Sequence, residues 1–226
     1  MLATARDRAM TAGLDVQFIR GGIEDLRELD PFDAVLCHFV VQYRDDLVED
    51  VGRLVSATRP GGLLSVIAPN PASIVITRLL RQGPADALAE LERDTARTVT
   101  FDHEVRKVPF ADVERHLNSQ GCEVVGRYGG RIANDLISDN ALKHEPDYYA
   151  DLGRLELALC DQEPFWRFGN FWQLVAQTPP GHADTPAERT TRVAPMSVPG
   201  ATDSGDDSRP HDGPRHPVAG AACNTS

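Results

Sequence analysis

The sequence predicts an α/β fold built on a mostly parallel sheet, and three observations carry that prediction. Residues 33–69 hold two near-continuous apolar runs bridged by one amphipathic helix, which is what a parallel βαβ unit requires. Strand-like and helix-like periods keep alternating down to about residue 178. A last apolar run, Phe171 to Ala176, follows a long insertion, which suits an antiparallel end to a parallel sheet.

Met1 to Gly13 reads as a helix, with Leu2, Ala5, Ala9 and Met10 on one face and Gly13 placed to end it. No N-cap precedes it, so the chain begins inside a helical pattern. Val16 to Ile19 reads as a short strand, followed by Arg20-Gly21-Gly22-Ile23-Glu24-Asp25-Leu26. Glycines just past a strand's carboxyl end let a ligand approach the backbone closely. Ala34 to Phe39 is the first strand of the central unit. Its helix is Asp45 to Ala57, with Leu47, Val51, Leu54 and Val55 at helical spacing. Arg59-Pro60-Gly61-Gly62 reads as a tight turn into the strand Leu63 to Ala68.

Residues 70–100 read as a helix-rich excursion with Ile74, Leu79, Leu80, Leu88 and Leu91 as apolar positions. A helix from Phe110 to Gly121 and a strand from Glu123 to Arg127 follow. The insertion, 131–168, holds a helix from about Asp147 to Cys160, with Tyr148, Leu152, Leu155 and Leu159 along one stripe. From Pro179 the hydrophobic period disappears into Pro, Gly, Ser, Thr, Asp and Arg. Such a segment cannot bury enough apolar surface to offset its chain entropy, so 179–226 is expected to be a disordered tail behind a domain of residues 1–178.

The formal net charge is −11, and residues 1–180 alone hold 28 acidic against 19 basic side chains. An acidic domain offers no broad electrostatic grip on nucleic acid, and DNA is not an expected partner. Cys37, Cys122, Cys160 and Cys223 include no C-x-x-C pair, which argues against a metal or disulfide framework. The first three lie in apolar runs and read as buried free thiols. His103-Glu104 is not a zinc motif, because Lys107 stands where a second histidine would be required. With no signal peptide and no apolar run of about 18 residues, the expectation is a soluble cytoplasmic protein without a membrane partner.

The order of elements, with Arg59-Pro60-Gly61-Gly62 before a strand, resembles the class I S-adenosylmethionine-dependent methyltransferases. Cys37-His38-Phe39-Val40-Val41-Gln42-Tyr43 is similar to that family's segment after the fourth strand, and Gly21 to Leu26 to its adenine-binding loop. Within the family the chain resembles most the tRNA 5-carboxymethoxyuridine methyltransferases over about residues 1–178. The matching features are Asn70, Gly121-Cys122-Glu123-Val124-Val125-Gly126, Arg131 and Cys160-Asp161-Gln162-Glu163-Pro164-Phe165. Where that family has Arg-Tyr opening the last strand, this chain has Asn170-Phe171, which removes a bidentate carboxylate donor and a hydroxyl.

The resemblance implies a Rossmann-like methyltransferase sheet, parallel with an antiparallel last strand and lacking the family's first two strands. It also implies S-adenosylmethionine as cofactor. The family's glycine-rich loop and ribose-holding acid have no counterpart here, and Met1-Leu2 matches a segment that follows them. The expectation is therefore a methyltransferase domain truncated at its N-terminus, with weakened cofactor binding. On the cofactor side the resemblance and the strand ends nominate Met1, Gly22, Ile23, Glu24, His38 and Phe39. On the substrate side they nominate Tyr43, Arg131, Asn170, Phe171 and Trp172.

Three acceptor readings stay open: the carboxylate of a modified tRNA uridine, a small molecule, or a non-catalytic remnant of the fold. Methylating a carboxylate needs no general base, because the nucleophile is already ionised at neutral pH, so no acid or base residue is nominated. The cluster Phe165, Trp166, Phe168, Phe171 and Trp172 serves either to stack a flat acceptor or to pack the insertion. Arg78, Arg81, Arg106 and Lys107 form either a phosphate rim or a solvated face.

Overall fold

The computed structural model describes residues 2–98 and 103–181, all within a unit spanning Met1–Asp184. In chain order its elements are α1 (Leu2–Thr11), β1 (Phe32–His38), α2 (Leu47–Ser56), β2 (Thr58–Pro69), α3 (Pro71–Gln82), α4 (Pro84–Leu91), β3 (Thr95–Thr98), β4 (His103–Arg106), α5 (Phe110–Ser119), β5 (Glu123–Gly130), α6 (Pro146–Leu159) and β6 (Phe171–Gln177). Short 3₁₀ turns lie at Ile23–Glu28, Val41–Tyr43 and Phe165–Phe168, among others.

The main sheet has the order β1-β2-β6-β5. β1 and β2 pair in parallel, Ala34 beside Leu63 and His38 beside Ile67. β6 runs antiparallel to both neighbours, so β1, β2 and β5 share one direction and β6 alone reverses. The fold class is Rossmann-like α/β.

Alternation along the strands gives the sheet one covered face. Val35 and Cys37 of β1, Leu64, Val66 and Ala68 of β2, and Leu174 and Ala176 of β6 are all buried. Leu47, Val51 and Leu54 of α2 and Val113 and Leu117 of α5 join them in one core cluster. Each fully buried Leu or Val contributes about 1.5–3 kcal/mol relative to exposure. α2 is positioned by its cap: the Asp46 carboxylate accepts from Glu49 N–H at 2.9 Å.

Several expectations need correction. Val16 to Ile19 form no strand. A strand exists only as part of a hydrogen-bonded ladder, and residues 14–22 have none, lying exposed apart from a half-buried Phe18. The excursion after Asn70 contains not only α3 and α4 but also a hairpin, β3 against β4. Its four-residue strands are too short to show a period.

The Arg59–Gly62 segment is a bulge inside β2 rather than a turn before it: Phe32 pairs with Thr58, but Ala34 already pairs with Leu63. Glycine is required there, since Gly61 has φ +74°. A Cβ on Gly62 would stand 2.8 Å from the Arg59 carbonyl oxygen. Of the expected buried thiols, Cys37 and Cys122 are buried, but Cys160 is only half-buried.

The disorder expected for the tail falls, from residue 182 onward, outside the described residues, as do Met1 and Cys223. The tail's root is fixed. Gly61 N–H donates to Pro179 C=O at 3.1 Å, and the Thr178 hydroxyl donates to Arg59 C=O at 2.6 Å.

Candidate active site

Three parallel strands end at one edge of the sheet, at His38, Pro69 and Gly130, and β6 begins there. Phe171 therefore pairs with both Pro69 and Gly130. This carboxyl edge is where open α/β sheets bind ligands. It brings together His38, Phe39, Asn70, Arg131, Asn170 and Phe171 from β1, β2, β5 and β6.

Phe39 leaves β1 with φ +55°, while its N–H still donates to Ile67 C=O at 2.8 Å. Its ring meets Phe171 edge-on, centroids 5.6 Å apart, and 43% of it remains exposed. Behind it a polar chain crosses the uncovered face of three strands: His38 Nε2 lies 2.9 Å from Ser65 Oγ, and Gln173 Nε2 donates to the same oxygen at 2.8 Å.

The other cofactor-side candidates are placed as follows. Gly22 is exposed and its N–H donates to the Asp25 carboxylate at 2.8 Å. Ile23 was expected to face the adenine, but it is buried in the core, where 3₁₀ packing against α2 is its alternative to an exposed apolar side chain. Glu24 pairs with Arg44 at 3.0 Å, its own side chain half exposed. Arg44 in turn bonds buried Asp50 at 2.9 Å. That hydrogen bond, opposed by partial desolvation and helped by the charges of Asp50 and Glu24, pushes the guanidinium's already high pKa further up.

Trp172 is corrected. It is fully buried on the covered face, and its indole N–H donates to Val108 C=O at 3.0 Å, so it packs the core instead of meeting a substrate. Tyr43 is 41% exposed and its ring stacks on His103 of β4 at 6.3 Å. Asn170 offers its backbone: its C=O accepts from Asn70 N–H at 2.9 Å. Arg131, with φ +57°, is exposed and held by Asp135 through Nη2 at 2.7 Å. Of the remaining aromatics, Trp166 is buried while Phe165 and Phe168 are exposed. Three of the four basic candidates have partners within the fold: Lys107 lies 2.8 Å and Arg78 3.4 Å from buried Glu90, and Arg106 donates to Asp45 C=O.

Beside the edge, between β5, β6 and α6, lies a cavity of about 560 Å³ lined by Tyr128, Arg131, Tyr149, Leu152, Phe171 and Gln173, among others. Its size and mostly apolar lining are those of a small-molecule or nucleobase pocket.

Two structural residues were not nominated from sequence. Asn70 caps α3 by accepting from Ala72 N–H at 3.1 Å and donates to Arg167 C=O at 2.7 Å and Gly169 C=O at 2.9 Å. The Asn-Pro pair ahead of an apolar period is a readable cap signal. Glu156 of α6 accepts from three successive backbone N–H groups at Ile132, Ala133 and Asn134. Partners that far along the chain leave no local signal. Among the described residues no cluster of His, Cys, Asp and Glu could hold a metal ion, and no helix is long and apolar enough to cross a membrane.

Comparison with known proteins finds likeness to methyltransferases. Residues 1–66 match a family described as a methyltransferase domain. The tRNA 5-carboxymethoxyuridine methyltransferase of Escherichia coli (strain K12) is 27% identical over 184 residues, covering 79% of this chain and 68% of that protein. Solved structures similar to this chain include an S-adenosylmethionine-dependent methyltransferase from Mesorhizobium loti, with 17% identity, TM-score 0.46, and coverage of 76% and 74% of the two chains. Another, from Clostridium acetobutylicum, has 13% identity, TM-score 0.47, and coverage of 79% and 71%. The family match over residues 1–66 and the curated relative support a class I S-adenosylmethionine-dependent methyltransferase. The solved structures named above are described as S-adenosylmethionine-dependent.

Toward that cofactor the described residues offer chemistry for one end: the exposed Phe39 ring could stack an adenine, and the exposed Gly21-Gly22 backbone or the Glu24 carboxylate could take its amino edge. No glycine-rich strand-to-helix turn stands among them for the ribose or amino-acid ends.

Proposed function

We propose that this methyltransferase acts on a carboxylate oxygen, and that its first candidate acceptor is the 5-carboxymethoxy group of a modified tRNA uridine. The observation that carries this reading is the placement of Arg131 at the carboxyl edge, on the rim of an aromatic-lined cavity beside Phe171. A guanidinium there can take a carboxylate while Tyr149 and Phe171 flank a flat base. The curated relative, a tRNA 5-carboxymethoxyuridine methyltransferase by name, points the same way.

When bound, S-adenosylmethionine supplies an electrophilic methyl group on a sulfonium. The chain's own part is alignment and exclusion of water. An ionised carboxylate needs no base, so what matters is holding one oxygen in line with the methyl. Arg131 would exchange Asp135 for the acceptor, while Phe39 and Phe171 keep the edge apolar. A second reading, a small aromatic carboxylate, is favoured by the mostly apolar lining of the cavity and by Asn170-Phe171.

The test is transfer of labelled methyl from millimolar S-adenosylmethionine to tRNA bearing the carboxymethoxy group. The expected product is a base-labile ester lost on nuclease treatment. Label in small aromatic carboxylates alone selects the second reading, and no label in either overturns both.

A further inference from the structure

We propose that Glu156 is a positioning residue that aims Arg131 at the acceptor. This rests on the carboxylate reading above and assigns a role to a side chain that touches no reacting atom. Arg131 occupies the left-handed region, φ +57°, at the point where β5 stops. Nothing in its own side chain favours that conformation. Directly after it, the backbone turns so that three consecutive N–H groups converge on one carboxylate: Ile132 donates to Glu156 Oε2 at 2.8 Å, and Ala133 and Asn134 donate to Oε1 at 2.8 and 2.7 Å.

Charge-assisted bonds to backbone donors are the strong kind, and three on one group fix the turn as a unit. The turn also carries Asp135, whose carboxylate holds the Arg131 guanidinium at Nε, 3.0 Å, and Nη2, 2.7 Å. Glu156 thus sets both the backbone that launches Arg131 and the acid that parks its head group until an acceptor replaces it. Because Glu156 stands on α6, the wall of the cavity, it also couples cavity and arginine. A further tie, Gly129 N–H to Cys160 C=O at 2.7 Å, holds the end of that helix to β5.

The experiment uses the full chain with Glu156→Ala and Glu156→Gln. In the glutamine variant Oε1 can keep Ala133 and Asn134, but an amide NH₂ then faces the Ile132 N–H, donor against donor. The first readout is hydrogen exchange at Arg131 Nε–H in ¹⁵N-labelled protein, with Arg127, held by Glu114, as internal reference. Glu156→Ala is expected to speed exchange at Arg131 about tenfold through the lost hydrogen bonds, Glu156→Gln less, with Arg127 unmoved. The second readout is steady-state methyl transfer to tRNA bearing the carboxymethoxy group: KM for the tRNA is expected to rise about tenfold while saturated kcat holds within about twofold.

Unchanged exchange at Arg131 overturns the proposal, as does acceleration of both arginines together, or a fall in kcat at constant KM. If Glu156→Ala does not fold, Glu156→Gln carries the same readouts. If the unaltered chain transfers no methyl yet Arg131 responds as expected, the acceptor reading fails and the positioning role stands.

Discussion

The two faces of the main sheet differ in what they ask of their side chains. On the covered face, Leu64, Val66, Ala68, Trp172, Leu174 and Ala176 are buried beneath α2 and α5, and their identity is dictated by volume. On the other face, Leu36 is 69% and Leu63 45% exposed, and the order comes from a polar chain, His38 to Ser65 to Gln173. Stability is concentrated on the first face. The carboxyl edge of the second carries the residues with chemistry.

Substitutions across the sheet should separate the faces most sharply. Trp172→Ala is expected to cost about 3–5 kcal/mol by urea denaturation, whereas Leu36→Ala stays within about 0.5 kcal/mol. Equal costs would mean that the open face is packed in solution. At the edge, Asn70→Ala removes a cap and two bonds to the insertion. It is expected to cost about 2–3 kcal/mol, with proteolysis appearing first near residues 165–170.

The covered face also has a pH signature. Burial, and then the charge of Asp50, pushes the Cys37 thiol from 9.0 up to about 11. The folded state keeps its proton longer than the unfolded state, so this stability is complete below pH 9 and falls as pH rises toward 11. The loss is about 2–3 kcal/mol, absent in Cys37→Ala and measurable by denaturation at each pH. The smallest effect is expected at Glu163, where the hydrogen bond from Arg167 lowers the carboxyl's pKa on an exposed surface. Glu163→Gln should leave the neutral-pH melting temperature unchanged, since water screens the pair. What the pair contributes is present above the unfolded carboxyl's pKa and vanishes as pH falls through the lowered one, which acid titration of both proteins would show.

Legibility in the sequence follows the same division. Residues 34–39 and 63–68 announce strands because their near-continuous apolar runs flank one amphipathic helix, and the α2 stripe at Leu47, Val51 and Leu54 fixes which face it covers. Val16–Ile19 has the composition of a strand, but pairing is a property of partners rather than of the segment. Trp172 shows the limit at the site: it neighbours Phe171 in sequence, yet strand alternation turns the two to opposite faces. That parity was readable, and Ile23's burial was not, because it depends on where α2 lies. Glu156 was invisible for the same non-local reason.

The most direct test of the edge as the cofactor wall is calorimetric titration of S-adenosylmethionine into the full chain and into Phe39→Ala. A cofactor wall that includes Phe39 predicts a Kd worsened about tenfold or more when the stacking ring is removed. Binding indifferent to Phe39 would contradict it.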